Sequence, residues 1–239
     1  MKTALIISGW GVTKNLLSPL AKQLETIGYQ ASIVDIFDPF DVNTIQSIYD
    51  LACKSEVLIG WSLGGQLATW LALEILEKEN ICKPVICLAS NPSFVRRENW
   101  EHAMPMNDFD SFRNGYNANE KATLKQFYLN ICRGEEQLKQ HWQFILKHVD
   151  SLSTDHLKMG LQLLASLNLV HNLKDSPLDI HYIFGQEDTL VPYQVIADIE
   201  KISTESVVTT ILPNVSHAFP IFHVKETLHA IQKFLSSLA

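Results

Sequence analysis

The sequence predicts an α/β protein: a mostly parallel sheet with helices on both faces and a helical insertion set over it. Three observations predict it. Short, continuous apolar runs of strand length alternate with stretches whose apolar residues recur at helical spacing, and strands apolar throughout belong to a sheet covered on both faces. One such run leads into Gly60-Trp61-Ser62-Leu63-Gly64 and passes at once into a helical pattern, a tight strand-to-helix turn. The alternation stops between about 94 and 167, where only helical segments occur, and then resumes. The expected division is a core of residues 1–93 and 168–239 with a lid of residues 94–167 inserted into it.

In order, residues 3–7 read as a buried strand running into Ser8-Gly9-Trp10-Gly11. Residues 15–27 carry Leu16, Leu17, Leu20, Leu24 and Ile27 on one helical face, closed by Gly28. Residues 30–34 are a second strand, and Ile45, Ile48, Tyr49 and Ala52 mark another helical face. The run before Gly60 is the third strand; its helix reaches about 76, with Leu67, Trp70, Leu71 and Ile75 as its buried stripe. A fourth strand, 84–88, ends in Ala89-Ser90-Asn91-Pro92. Within the insertion, Met104-Pro105-Met106 and Asn114-Gly115 read as breaks, and helices are expected over 120–131, 135–149 and 154–167. Strands at 179–184 and 206–212 and helices at 193–199 and 224–235 close the chain.

Composition limits what such a chain does. At 239 residues, 46% hydrophobic and 19% charged, it suits one globular unit with a sizeable core. Asp and Glu number 26 against 19 Lys and Arg, and a formal charge of −7 argues against a general nucleic-acid binder. Cys53, Cys82, Cys87 and Cys132 form no C-x-x-C pair and no two couples that would complete a zinc site, and they read as reduced thiols rather than disulfides. Ala4-Leu5-Ile6-Ile7 is too short for a signal-peptide core and no later run approaches a membrane span, so a cytoplasmic protein is expected.

The turn at Ser62 carries the chemistry. A strand entering a helix so tightly strains the backbone at Ser62 and leaves its hydroxyl clear of both elements, while Gly60 and Gly64 remove Cβ atoms that would clash. A serine needs a base to take its proton, and the base needs an orienting acid. In a nucleophile-elbow architecture the chain order is Ser, then Asp or Glu, then His. Asp188 and His217 each follow a predicted strand, as Ser62 does; Glu187 is the adjacent alternative for the acid. His102, His141, His148 and His156 precede the acid, His171 and His181 read as structural, and His223 and His229 read as surface residues near the last helix. Two N–H donors are needed for an oxyanion, one from Leu63 and one from the Gly9-Trp10-Gly11 loop, where the Trp10 ring either simply packs or also walls the acyl pocket. No phosphate loop, dinucleotide fingerprint or His/Cys cluster is present, so neither cofactor nor metal is expected.

Gly9-Trp10-Gly11, Gly60-Trp61-Ser62-Leu63-Gly64-Gly65, Gly185-x-x-Asp188 and Ser216-His217-Ala218 together resemble the α/β-hydrolases. More narrowly, the chain resembles the BioH-type pimeloyl-[acyl-carrier protein] methyl ester esterases, also in Ala89-Ser90-Asn91-Pro92-Ser93-Phe94, Glu98-Asn99-Trp100, Phe127-Tyr128-Leu129 and Gly160-Leu161-Gln162-Leu163-Leu164. The resemblance implies the Ser62, Asp188 and His217 triad, with acyl-pocket contacts from Trp10, Leu63, Phe127, Tyr128, Leu129, Asn130 and Ile131. It implies hydrolysis of the methyl ester on pimeloyl-carrier protein, releasing methanol, by a monomer in biotin synthesis. The chain departs from the family pattern in having Ser8 where a histidine is common, no preliminary hairpin, and no glycine-rich turn in the loop 35–40.

A carrier protein is acidic, so an acidic enzyme needs a local basic face. Between 113 and 147, Arg113, Lys121, Lys125, Arg133, Lys139 and Lys147 stand against Glu120, Glu135 and Glu136, six against three, giving +3 in a chain of −7. Family members dock through lid cations, which makes these six the candidate docking residues; an ordinary solvated surface is the alternative. A broad small-ester carboxylesterase or a carbon–carbon bond hydrolase shares the fold expectation, as does a binding protein without turnover.

Overall fold

The computed structural model describes residues 1–202 and 206–238. Strands β1 (Lys2–Ile7), β2 (Tyr29–Val34), β3 (Val57–Trp61), β4 (Val85–Leu88), β5 (Ile180–Gly185) and β6 (Val207–Leu212) form one sheet in the order β2-β1-β3-β4-β5-β6. Every pairing is parallel. The continuous apolar runs mark the inner strands: β3, β4 and β5 are buried at every residue, whereas β2 and β6, at the edges, are only partly so.

Alternate residues of each strand feed two apolar layers. Leu5, Ile7, Leu58, Val85, Cys87, Ile180 and Tyr182 face one, and Ala4, Ile6, Val57, Ile59, Ile86 and Ile183 face the other. Register aligns the carboxyl ends, with Ile7 opposite Gly60, Trp61 opposite Leu88, and Gly185 opposite Leu212. The loops after β1, β3, β4, β5 and β6 therefore open on one rim, where ligands of parallel sheets bind.

The helix expected over 15–27 is divided. A 3-10 turn at Lys14–Leu17 precedes α1 (Ser18–Glu25), because Pro19 has no N–H to give and suits a first turn rather than an interior. α2 (Val42–Lys54) follows β2, capped by the Asp41 side chain on the Asn43 amide. α3 (Leu63–Glu79) is buried on most of its circumference, with Gly64, Gly65, Gln66, Ala68, Thr69 and Ala72 covered as well as Leu67, Leu71 and Ile75. The expected stripe is therefore too narrow, and Trp70, counted in it, is only half-buried.

The insertion of residues 94–167 holds four helices: α4 (Met106–Ala118), α5 (Glu120–Ile131), α6 (Leu138–His148) and α7 (Thr154–Ser166). Two expectations are corrected there. Asn114-Gly115 does not break the chain: α4 runs through it because Phe109 and Tyr116 are both buried, and the break falls at Asn119, which caps α5 through Ala122. Residue 135 lies outside α6, its carboxylate turned inward. The two ends of the insertion meet: Leu169 N–H donates to Pro92 O at 2.9 Å, and Gln66 Nε2 donates to Pro92 O and Leu167 O at 2.8 Å each. Gln66 thus fastens both stems to the helix that follows Ser62. The chain closes with α8 (Val170–Leu173), α9 (Ile196–Ile202), α10 (Phe219–Phe222) and α11 (Val224–Ser237), the first and third of them unexpected one-turn helices. Among the described residues no helix is long and apolar enough to cross a membrane.

Candidate active site

Ser62 joins β3 to α3 at φ 57 and ψ −124, a conformation non-glycine residues rarely adopt. The crowding that enforces it is visible at its neighbours. A Cβ on Gly60 would lie 2.0 Å from the Gly64 carbonyl oxygen, and one on Gly64 would lie 2.3 Å from those of Ile7 and Ser8. The Ser62 amide donates to Leu88 O at 2.8 Å, so β4 holds the turn in place.

Asp188 and His217 come from the loops after β5 and β6. His217 Nδ1 lies 2.7 Å from Asp188 Oδ2, and both side chains are buried. The other carboxylate oxygen of Asp188 accepts the amides of Leu190 at 2.8 Å and Val191 at 3.0 Å, which fixes the carboxylate's orientation. Glu187 is exposed, and the imidazole takes Asp188 instead. Ser62 and His217 line one cavity. The buried Cys87 thiol lies 3.5 Å from the Gly65 carbonyl and is pushed up to about 12 by burial, which leaves it inert.

The loop after β1 passes directly over the serine: a Cβ on Gly9 would stand 3.2 Å from Ser62 Cβ. The Leu63 amide opens α3 and has no intrahelical acceptor. Trp10 is buried, and its indole N–H donates to Leu157 O at 2.8 Å, engaging α7. Phe112 and Phe127 meet its ring edge-on, with centroids 5.4 and 4.8 Å away.

The cavity, about 230 Å³, suits a short chain rather than a bulky ligand. Of the residues expected around an acyl chain, Trp10, Ser62, Phe127, Asn130 and His217 line it. Leu63 and Ile131 are packed in the core, and the Tyr128 hydroxyl is engaged by Gly11 O at 2.8 Å. Leu129 also lies outside the lining. The rest of the wall comes chiefly from Phe94, Met104, Phe109, Phe112, Leu164 and Val191. Phe94 and Leu164 stood in stretches that carried the family resemblance; the others had no signal beyond being apolar.

Two further contacts have no signal in the local sequence. Trp61 Nε1 donates to His217 O at 2.9 Å, a contact 156 residues long. His223, expected at the surface, is half-buried, with Nε2 2.8 Å from the buried Glu135 carboxylate. The six cations proposed for docking are all exposed. Arg113 pairs with Asp110 at 2.7 Å, and Lys125 sits over the Trp142 ring at 5.5 Å.

No protein-family model matches the sequence. The chain is 27% identical to a pimeloyl-[acyl-carrier protein] methyl ester esterase of Pseudoalteromonas atlantica, covering 94% of this chain and 90% of that protein. It is 28% identical to the protein of the same name from Xylella fastidiosa, over 98% and 95%. In structure it matches a bromoperoxidase from Bacillus anthracis with TM-score 0.80 at 16% identity, covering 98% of this chain and 92% of that one. An esterase from Exiguobacterium antarcticum matches with TM-score 0.76 at 18% identity, with the same coverage. The fold is that of the α/β-hydrolases, as the resemblance implied.

Proposed function

We propose that this protein is a serine carboxylesterase that hydrolyses the methyl ester of pimeloyl-[acyl-carrier protein], releasing methanol and the free ω-carboxyl group. The observation that carries it is the bond of 2.7 Å between Asp188 and a His217 imidazole that shares an apolar cavity with Ser62. Similarity over nearly the whole chain to esterases of that name supports the substrate.

In this reading His217 takes the proton of Ser62 as its oxygen attacks the ester carbonyl, and Asp188 holds the imidazole in the tautomer that can accept it. The amides of Leu63 and Trp10 stabilise the oxyanion. His217 then protonates the departing methoxide, and water, activated by the same imidazole, cleaves the acyl-enzyme. Trp10, Phe127 and Asn130 contact the acyl chain, residues 94–167 act as its lid, and Arg113, Lys121, Lys125, Arg133, Lys139 and Lys147 supply the carrier's docking face. The enzyme works as a cytoplasmic monomer.

A second reading, a broad small-ester carboxylesterase, is favoured by the largely apolar cavity wall, which has little to single out one acyl chain. Purified protein offered methyl pimeloyl-carrier protein beside free dimethyl pimelate separates the two. The expected result is a strong preference for the carrier-bound ester, lost in Ser62→Ala; equal turnover of both esters would leave only the broader esterase.

A further inference from the structure

Glu135 is a buried carboxylate that the triad does not use. It sits in the turn between α5 and α6, its side chain 3% exposed. Its Oε1 accepts the amide of Ser216 at 2.9 Å and lies 2.7 Å from the Ser216 hydroxyl. Its Oε2 meets His223 Nε2 at 2.8 Å and lies 3.6 Å from His141 Nδ1. Burial pushes this carboxyl's pKa up, but the bonds from His223 and Ser216 outweigh it and leave the group below its ordinary value, hence ionised. A buried charge with this many donors is costly to leave half-satisfied, so its partners are held firmly.

What it holds is the residue before His217. The end of α5 grips the same loop, since Ile131 O accepts the Ala218 amide at 3.0 Å and lies 3.0 Å from the Ser216 hydroxyl. The backbone on both sides of the imidazole is thus fastened to the helical insertion, while Trp61 holds the carbonyl of His217 itself.

We propose that Glu135 is a positioning residue for the catalytic base: by gripping Ser216 it sets where His217 stands over Ser62, and so couples the placement of the base to the seating of the insertion. This rests on the reading of His217 as that base. Glu135→Ala is expected to lower kcat on p-nitrophenyl butyrate about 10- to 100-fold, the scale of a small misplacement, with KM within about twofold. Glu135→Gln, whose carbonyl oxygen can still accept both Ser216 donors, is expected to restore kcat to within about threefold. The far-downfield proton resonance of the His217–Asp188 bond should shift or broaden in the alanine variant and return in the glutamine variant.

Folding is checked by thermal melting; if Glu135→Ala does not fold, Glu135→Asp, one methylene shorter, takes its place with the same expected loss of kcat. A folded Glu135→Ala (or that aspartate variant) with wild-type kcat and an unmoved resonance overturns the proposal. So does a glutamine variant no better than alanine. His217→Ala, run beside them, tests the underlying reading separately: retained activity there removes His217 as the base, whatever Glu135 does.

Discussion

The indole nitrogen of Trp61 donates to the carbonyl of His217 at 2.9 Å, so the residue before the proposed nucleophile holds the backbone of the proposed base. The rings lie 5.7 Å apart. The elbow therefore does two things: its glycines present Ser62, and its tryptophan measures the distance from β3 to the loop after β6. Trp61→Phe keeps an aromatic ring, smaller than the indole, and deletes the donor, leaving a buried carbonyl unpaired. Loss of about tenfold in kcat with little change in KM is expected from steady-state kinetics.

Asp188→Asn separates orientation from packing. The asparagine carbonyl can replace Oδ1 as acceptor for Leu190 and Val191, which turns its NH2 toward His217 Nδ1. The imidazole is then forced into the tautomer with its proton on Nε2, unable to take one from Ser62. A fall of about 10³- to 10⁴-fold in kcat is expected, with a nearly unchanged melting temperature.

Gly160 allows α7 to lie on the loop after β1. A Cβ there would stand 2.3 Å from Trp10 Cδ1 and 2.6 Å from Ile36 Cδ1. Gly160→Ala should push α7 away from Trp10, costing about 1–3 kcal/mol by denaturant titration and lowering kcat/KM together with it.

His181 makes stability depend on pH. It is buried, with Nε2 2.8 Å from Thr210 Oγ1 and Nδ1 without a hydrogen-bond partner among the described residues. Burial, with a smaller contribution from Lys233, lowers its pKa from 6.5 to about 4. Between those values the unfolded chain binds more protons than the folded one, so this contribution is complete above about 6.5 and is lost as pH falls toward 4. At about 1.4 kcal/mol per pH unit, the wild type should lose about 2–3 kcal/mol more than His181→Gln between pH 7 and 4.5, measured by urea unfolding.

Carrier docking through the exposed cations predicts a charge effect confined to the carrier-bound ester. Lys121→Glu with Lys139→Glu should lower its kcat/KM about tenfold at low salt and progressively less as salt is added, leaving the free ester unaffected. An equal loss on both esters would point instead to damage within the insertion.

The alternation of strands and helices, the strained serine turn and the places of Ser62, Asp188 and His217 just past strand ends were legible because each is written in neighbouring residues. Local reading failed where distant side chains overrode it. Asn114-Gly115 looks like a break until Phe109 and Tyr116 are seen to be buried on one helix, and a helix beginning at 135 is expected until that carboxylate is seen to turn inward to Ser216.

The sequence by itself determined which residues stand at strand ends, since apolar period and turn chemistry are properties of adjacent positions. Only the tertiary structure decided what supports them. The bonds from Trp61 to His217 and from Ser216 to Glu135 span 156 and 81 residues, and nothing near either partner specifies the other. The same holds for the cavity wall, where a phenylalanine facing Ser62 and one facing the core read alike until the helices are packed.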